Sequence, residues 1–572
     1  MRTSRGISRT TGAAAGIIVV VLVVAAVYGF INFGKAASST SSTSSSGITS
    51  ATTSSVIGSL TSSTTSSKPF NLTLGTTEAV RWLDSSAMSN DVELLIGSQI
   101  YETLLRNNPV TGVPQPWLAQ NYTVSPDGTV YTFNLRHGIT FTDGTPFNAQ
   151  AVKFSLIRGF EDPNTISYFL GNTLKGVTYG SPDLAANASA AIQIIDNYTI
   201  AFHLTSPNSA EPYIFAMANT GISSPAHYNR TLDQYVGTGP FKFVSWARSS
   251  NVQLVPNPNY WNKANQNPNI KSLTFDFFSS STAEQAALQT NQIDVGLWAF
   301  TPTQVNALSQ DSSLTLVKGE INRFISLLLN NDTASSPLNN ELVRQAIAWS
   351  LNDSQIMSTV YGSTGTLSPT LMPPGYQYVT NAWSAAYPHQ DIAKAKQLLA
   401  QAGYPNGFST TLWYSPTQYG ESETPFVTLV QQELAQVGIT LTLNPVQITA
   451  FIQAARAGTP PMISFHWDYD YFGPYEYVYN IMYGGPKGGW SHWVSYQDTN
   501  STALLNAIQT ASPSQLPALY SQLQQRATVT IPIIPVGFIN NVYFEQKNVQ
   551  GMAVSYLGSS AANGAFVNVT KG

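Results

Sequence analysis

From residue 38 to residue 67 the chain reads SSTSSTSSSGITSATTSSVIGSLTSSTTSS, almost entirely Ser and Thr. Such a tract has too little apolar area to offset the entropy of ordering its backbone, about 1–2 kcal/mol per residue. It is expected to be a disordered stalk open to O-glycosylation. Everything that can build a hydrophobic core therefore lies in residues 68–572.

Ahead of the tract, Arg2, Arg5 and Arg9 precede an uncharged stretch from Ala13 to Ile31. As a helix that stretch is about 28 Å long, enough to cross a bilayer. The positive-inside rule keeps residues 1–12 cytoplasmic and puts the chain beyond Lys35 outside. The stretch 13–31 reads as a retained transmembrane anchor or, with KAAS as the processing site, a cleaved signal segment. Residues 32–67 then hold the folded part off the membrane, at the cell surface, or release it if the segment is cleaved. Asn-X-Ser/Thr sequons recurring from Asn71 to Asn568 fit an exterior glycoprotein.

Charged residues make up 10% of the chain against a usual value of about 25%, and the net charge is -4. Nucleic acid is excluded as a partner, because no basic cluster supplies the field it needs. Cysteine is absent. That removes disulfides, thiolate catalysis, Cys-ligated metals and a lipid-modified cysteine anchor. The six histidines show no metal-ligand spacing, so no metal or cofactor is expected. His466, inside an aromatic run, is the position left open.

Helices and strands interleave through 68–572, which is an α/β pattern. DGTVYTFNLRHGITFTDG alternates like two strands about a Gly turn. DIAKAKQLLAQAGYPNGF has a helical period from Ile392 to Leu399, with Asp391 near its start and Gly403 at its end. TPFVTLVQQELAQVGITLTL reads as helix, then strand. No nucleophile stands beside a base in any of these blocks, so no enzyme is expected.

An ordered series of blocks carries a resemblance. IYETLLRNNPVTGVPQPWLAQNYTVSPDGTVYTFNLRHGITFTDGTPFNAQAVKFSLIR comes first, then GTGPFKFVSW with LVPNPNYW, VRQAIAWSLNDSQIMSTVYGS, DIAKAKQLLAQAGYPNGF and IPIIPVGF. In this order they resemble the family 5 extracellular solute-binding proteins, the peptide/nickel-type receptors of ABC importers. The resemblance implies a two-lobed, type II periplasmic-binding-protein-like fold with an extra subdomain inserted in the first lobe. It divides the chain into 68–112, 236–302 and 532–572 as lobe I, 113–235 as the inserted subdomain and 303–531 as lobe II. It also implies a monomer that closes on its ligand about crossovers near Trp298 and residues 531–536, then delivers it to permease subunits.

The stretch SFHWDYDYFGPYEYV, residues 464–478, sets Asp468 and Asp470 among aromatic rings with no basic residue nearby in sequence. An unpaired buried carboxylate is costly, so this run should face water or await a cation. Relatives carry the form W-x-x-D-Y-x-x-P here, and their aspartate takes a peptide's α-ammonium group. Trp467, Asp470, Tyr471 and Pro474 stand at those spacings, and the resemblance implies ligand binding by Asp470, Trp467 and Tyr471. Trp82, Trp298, Trp413 and Trp490 are further candidates at expected strand ends.

The arginines that some relatives place before this motif are missing; RAGTPPMIS offers only Arg456. An oligosaccharide stacked on rings therefore stands beside a dipeptide or oligopeptide as ligand. A glycosidase built on Asp468/Asp470 or Glu421/Glu423 and a structural surface-layer protein are the readings from other classes.

Overall fold

The structure is a computed structural model that describes residues 68–572 except 110, 161–167, 179–180, 227–233, 298–299, 332–335, 417–420, 469–472, 484–497, 513 and 554–564. Residues 66–572 form one compact unit. The basic N-terminus, the anchor or signal segment and the stalk lie outside the described residues. Among the described residues no helix is long and apolar enough to cross a membrane.

In chain order the strands that position the site are β1 (Phe70–Thr76), β2 (Ala119–Val124), β3 (Val130–Leu135), β4 (Ile192–Asp196), β5 (Thr199–His203), β6 (Phe241–Ala247), β7 (Asn251–Pro256) and β8 (Ile270–Phe277). They continue with β9 (Val295–Leu297), β10 (Leu314–Leu329), β11 (Gly365–Leu367), β12 (Ser409–Tyr414), β13 (Thr440–Pro445), β14 (Met462–Asp468) and β15 (Ile533–Gln546). The helices needed below are α1 (Asp91–Ile100), α2 (Ala149–Phe160), α3 (Asp353–Val360), α4 (Ile392–Gln401), α5 (Glu423–Ala435) and α6 (Pro474–Met482).

One 11-stranded sheet runs β13-β12-β14-β10-β15-β9-β1-β8-β7-β6, with β11 also paired to β15. Its two long members, β10 with 16 residues and β15 with 14, pair antiparallel from Leu314↔Gln546 to Leu328↔Ile533. The two ends of the sheet share these strands. Their register shifts between Lys318 and Ile321, between Ile321 and Arg323, and between Ile325 and Ser326. Irregularities of this kind bend a strand and raise its local twist.

Strand alternation decides which side chains fill each core. In the β12–β14–β10–β15 half, Leu412, Met462, Ile325, Leu327 and Val536 pack on Met357 of α3 and Phe426 and Val430 of α5. The opposite face turns Phe324, Ile463 and Phe538 toward Tyr477 and Val478 of α6. In the other half, Leu72, Leu74, Val295 and Phe275 pack on Val92, Leu95 and Ile96 of α1. Each such side chain contributes about 1.5–3 kcal/mol when fully buried.

A separate four-stranded sheet, β2-β3-β5-β4, carries α2. Glu102, just past α1, ties its entry to the main sheet. Its Oε1 accepts from Trp117 Nε1 (2.7 Å) and Tyr260 Oη (2.8 Å), and its Oε2 from Thr238 Oγ1 (2.8 Å) and Trp261 Nε1 (2.9 Å). Burial raises the pKa of this carboxyl, and the four donors oppose the rise. The GTGP turn passes so close to α1 that a Cβ on Gly237 would sit 2.1 Å from the Ile100 carbonyl oxygen, which explains glycine there.

The expected helix at 392–399 is α4, with Asp391 accepting from the Lys394 backbone N–H (2.8 Å) and Gly403 at φ +91 beyond its end. The expected helix and strand after it are α5 and β13. The expected strand pair in DGTVYTFNLRHGITFTDG is half right. Only β3 forms a strand, and it pairs with β2 and β5. The second half folds on itself, because Asp143 accepts from the Thr145 backbone (2.8 Å) and from Ser224 Oγ (2.6 Å), leaving one bridge, Thr140↔Pro146.

Candidate functional site

The parallel strands of the two sheet halves end facing one another. β9 lies antiparallel on β15 with Leu297↔Tyr543, so its carboxyl end points down β15 toward Asn540. β1 runs parallel beside it and ends at Thr76. From the other half, β14 lies antiparallel on β10 from Met462↔Leu329 to Asp468↔Arg323, so its carboxyl end points toward Ile321. β12 is parallel to β14 and ends at Tyr414. All four ends converge on the stretch of β10 where the register shifts. Open α/β sheets bind ligands outside strand carboxyl ends where the topology switches.

Of the seven sequence-derived candidates, Asp470, Tyr471, Trp298 and Trp490 lie outside the described residues. Trp467 is half-buried on β14, opposite Phe324, with its ring 5.1 Å from that of Tyr477 and 6.3 Å from that of Phe465. Trp413 is half-buried on β12, in register with Ile463. Both pack against the α6-side core.

Trp82 is half-buried in the loop after β1, and that loop is fixed from two sides. Glu93, buried on α1, accepts backbone hydrogen bonds from Arg81 (2.6 Å), Trp82 (3.1 Å) and Ser89 (2.8 Å). Arg158 of α2 reaches Asp84 Oδ1 at 2.6 Å and both Ser85 Oγ and Ser223 Oγ at 2.9 Å. Fixing a loop before binding removes part of the entropy a ligand would otherwise have to offset.

A strand remote in sequence brings a base to the 464–478 run. β10, remote in sequence, sets Arg323 directly across from Asp468, on a strand position that is half-buried. Two positions earlier on β14 stands His466, whose Nε2 lies 2.9 Å from Glu423 Oε2 of α5, with side-chain exposures of 1% and 0%. The approach is an ion-pair distance without hydrogen-bond alignment. The Tyr361 ring stands 6.4 Å from that of His466. Its hydroxyl is pushed well above the usual tyrosine range, first by burial and then by the charge of Glu423, with Arg323 opposing.

The paired-carboxylate reading of Glu421/Glu423 fails on burial: Glu421 is exposed while Glu423 is sealed against His466. Among the described residues no group of three or more His, Cys, Asp or Glu is placed to hold a metal. Sequence reasoning missed Arg323, Tyr361 and the His466–Glu423 pair. The apolar run of RFISLLL is what a strand buried on both faces looks like, but nothing local says which strand it will meet.

A family model described as bacterial extracellular solute-binding proteins, family 5 Middle, matches residues 113–489, more than half of the chain. The glutathione-binding protein GsiB of Escherichia coli (strain K12) is 32% identical over 346 residues, covering 59% of this chain and 62% of that protein. The chain thus matches less than two thirds of the length of that relative. Among solved structures, AgaA of A. tumefaciens R10 in complex with agropinic acid aligns with TM-score 0.71 and 24% identity over 88% of this chain and 99% of that one. DppA of Helicobacter pylori in complex with the peptide STSA aligns with TM-score 0.70 and 23% identity over 88% and 98%. At these identities the structural likeness establishes the two-lobed fold.

Proposed function

The chain belongs to the bacterial extracellular solute-binding proteins of family 5, and we propose that it captures short peptides by lobe closure and delivers them to the permease of an ABC importer. The observation that carries the reading is the convergence of four strand ends, from both halves of the sheet, on the irregular middle of β10. A ligand seated there touches both halves at once. Closure about β10 and β15 then removes it from water, and the ligand supplies the differential contacts that favour the closed form. The names of relatives, a glutathione-binding protein and a receptor holding the peptide STSA, support peptides over sugars.

In this reading residues 68–112 and 236–302 with the insertion 113–235 move against 303–531, as a monomer, while 532–572 starts in the core of the second lobe along β15 and returns to the first. Asp470 takes the peptide ammonium group, with Trp467, Tyr471, Trp298, Trp413, Trp82 and Trp490 as the surrounding rings. Residues 13–31 tether the protein to the outer face of the cytoplasmic membrane, and the sequons carry glycans. The reading implies binding without turnover. Titration calorimetry with free di- to tetrapeptides, glutathione and neutral oligosaccharides is the test. Peptide binding, with the peptide recovered unchanged, is expected. Binding of the sugars alone would replace the peptide reading by the oligosaccharide one.

A further inference from the structure

The middle of β15 reads FINNVYF, two amides inside an apolar run, and Asn is depleted in strands. On one edge of β15, β11 pairs from Leu367↔Gly537 to Gly365↔Ile539, and β9 pairs from Leu297↔Tyr543 to Val295↔Glu545. Among the described residues no strand pairs with Asn540, Asn541 or Val542 on that edge. On the other edge β10 faces the same residues through its register shifts, with Lys318↔Val542 and Ile321↔Asn540. Both edges of β15 are thus weakest at one place, and a strand bends where its ladder is interrupted.

Asn540 bridges that place with its side chain. Its Oδ1 accepts from Thr366 Oγ1 of β11 (3.1 Å), and its Nδ2 donates to the Gly319 carbonyl oxygen of β10 (3.3 Å). Beside it, Lys318 Nζ donates to the Ser363 carbonyl oxygen (3.2 Å). The two ends of the bridge belong to different cores. Lys318 and Gly319 continue the strand from Leu314, which packs with Leu288, Ile293, Val542 and Phe544. Residues 363–366 hang from α3, whose Met357 packs in the core of the other half. Thr364 Oγ1 donates to the Tyr361 carbonyl oxygen (2.7 Å), and a Cβ on Gly365 would sit 3.2 Å from the Met357 carbonyl oxygen.

We propose that Asn540 is the positioning residue of the hinge: by joining Thr366 to Gly319 it braces the point where β10 and β15 bend, and so fixes the fraction of the free protein held ready to close. The inference rests on the closure reading above and gives its pivot a side chain. Without the brace the hinge samples more orientations, and a ligand that needs one of them binds more weakly in proportion to the fraction lost. Asn540 acts through the hinge and not on the ligand, so the loss is one factor common to every ligand.

The test is calorimetry on the purified full-length protein with Ser-Thr-Ser-Ala and with glutathione. N540A and T366V should each weaken both ligands by a common factor of about three- to tenfold, the worth of one neutral hydrogen bond. T366V keeps the shape of the side chain, so it carries the test even where N540A fails to fold. T366S keeps the hydroxyl and should bind as wild type does. Adding T366V to N540A should weaken binding by less than about twofold more, since the contact is already gone. Unchanged or tighter binding in both variants, or losses that differ more than about threefold between the two ligands, overturns the brace and leaves peptide capture standing. A wild-type radius of gyration that bound ligand leaves unchanged overturns closure and the brace with it, and binding of neither ligand overturns capture as well.

Discussion

Replacing Glu102 by Gln changes one atom and should cost far more than such a change usually does. Each carboxylate oxygen faces an indole N–H: Oε1 that of Trp117 at 2.7 Å, Oε2 that of Trp261 at 2.9 Å. An indole can only donate. Whichever way the Gln amide is turned, its NH₂ meets one of them. The hydroxyls of Tyr260 and Thr238 can rotate to accept, but the indole cannot. The variant therefore loses one hydrogen bond to a charged group, about 1.5–3 kcal/mol, and orphans a buried N–H, about 1–3 kcal/mol. The sum is a loss of about 2.5–6 kcal/mol. In a W261F background the amide nitrogen can point at the ring, so E102Q should cost about 1 kcal/mol or more less there. Urea denaturation of the four proteins, followed by far-UV circular dichroism, measures both quantities. An E102Q loss below about 1 kcal/mol, or strict additivity with W261F, would refute the argument.

Buried charge leads to three further outcomes. Burial raises the carboxyl groups of Glu211 and Glu284 to about 8 and of Glu545 to about 7, from 4.5. The folded state thus holds protons the unfolded chain releases, so this stability is full below pH 4.5 and is lost as pH rises through 7 and 8. The thermal midpoint should fall across that window, and E211Q should flatten the fall; an unchanged slope would contradict the assignment. R158A strands Asp84 in the core and should cost about 3–5 kcal/mol, with R158K failing to restore the two serine contacts; both should weaken peptide binding by loosening the Trp82 loop, as calorimetry would read. H466A removes the ring that faces the buried Glu423 carboxyl at 2.9 Å and should destabilise the fold, while the double variant H466A/E423A costs less than the sum of the two single losses in the same denaturation assay.

How far the sequence could be read depended on whether the deciding contact was local. α4 and its caps Asp391 and Gly403 were legible because a helix satisfies its hydrogen bonds within itself. The family resemblance supplied the two lobes. The alternation of GITFTDG was misleading because Asp143 closes a turn with Thr145 and Ser224, a contact the period does not contain. Arg323 stayed hidden for a different reason. Its relation to the 464–478 run exists only through the β10–β14 register, which links residues far apart in the chain. Trp467 and Trp413 show the same limit: alternation places them on a face, but only the packing of Tyr477 and Ile463 says what that face meets.

Small-angle X-ray scattering with and without saturating Ser-Thr-Ser-Ala tests the central claim most directly, since capture by closure about β10 and β15 must change the shape of the molecule. The account predicts a smaller radius of gyration in the peptide complex than in the free protein. An unchanged radius, with binding confirmed by calorimetry in the same buffer, would contradict closure and leave a rigid groove.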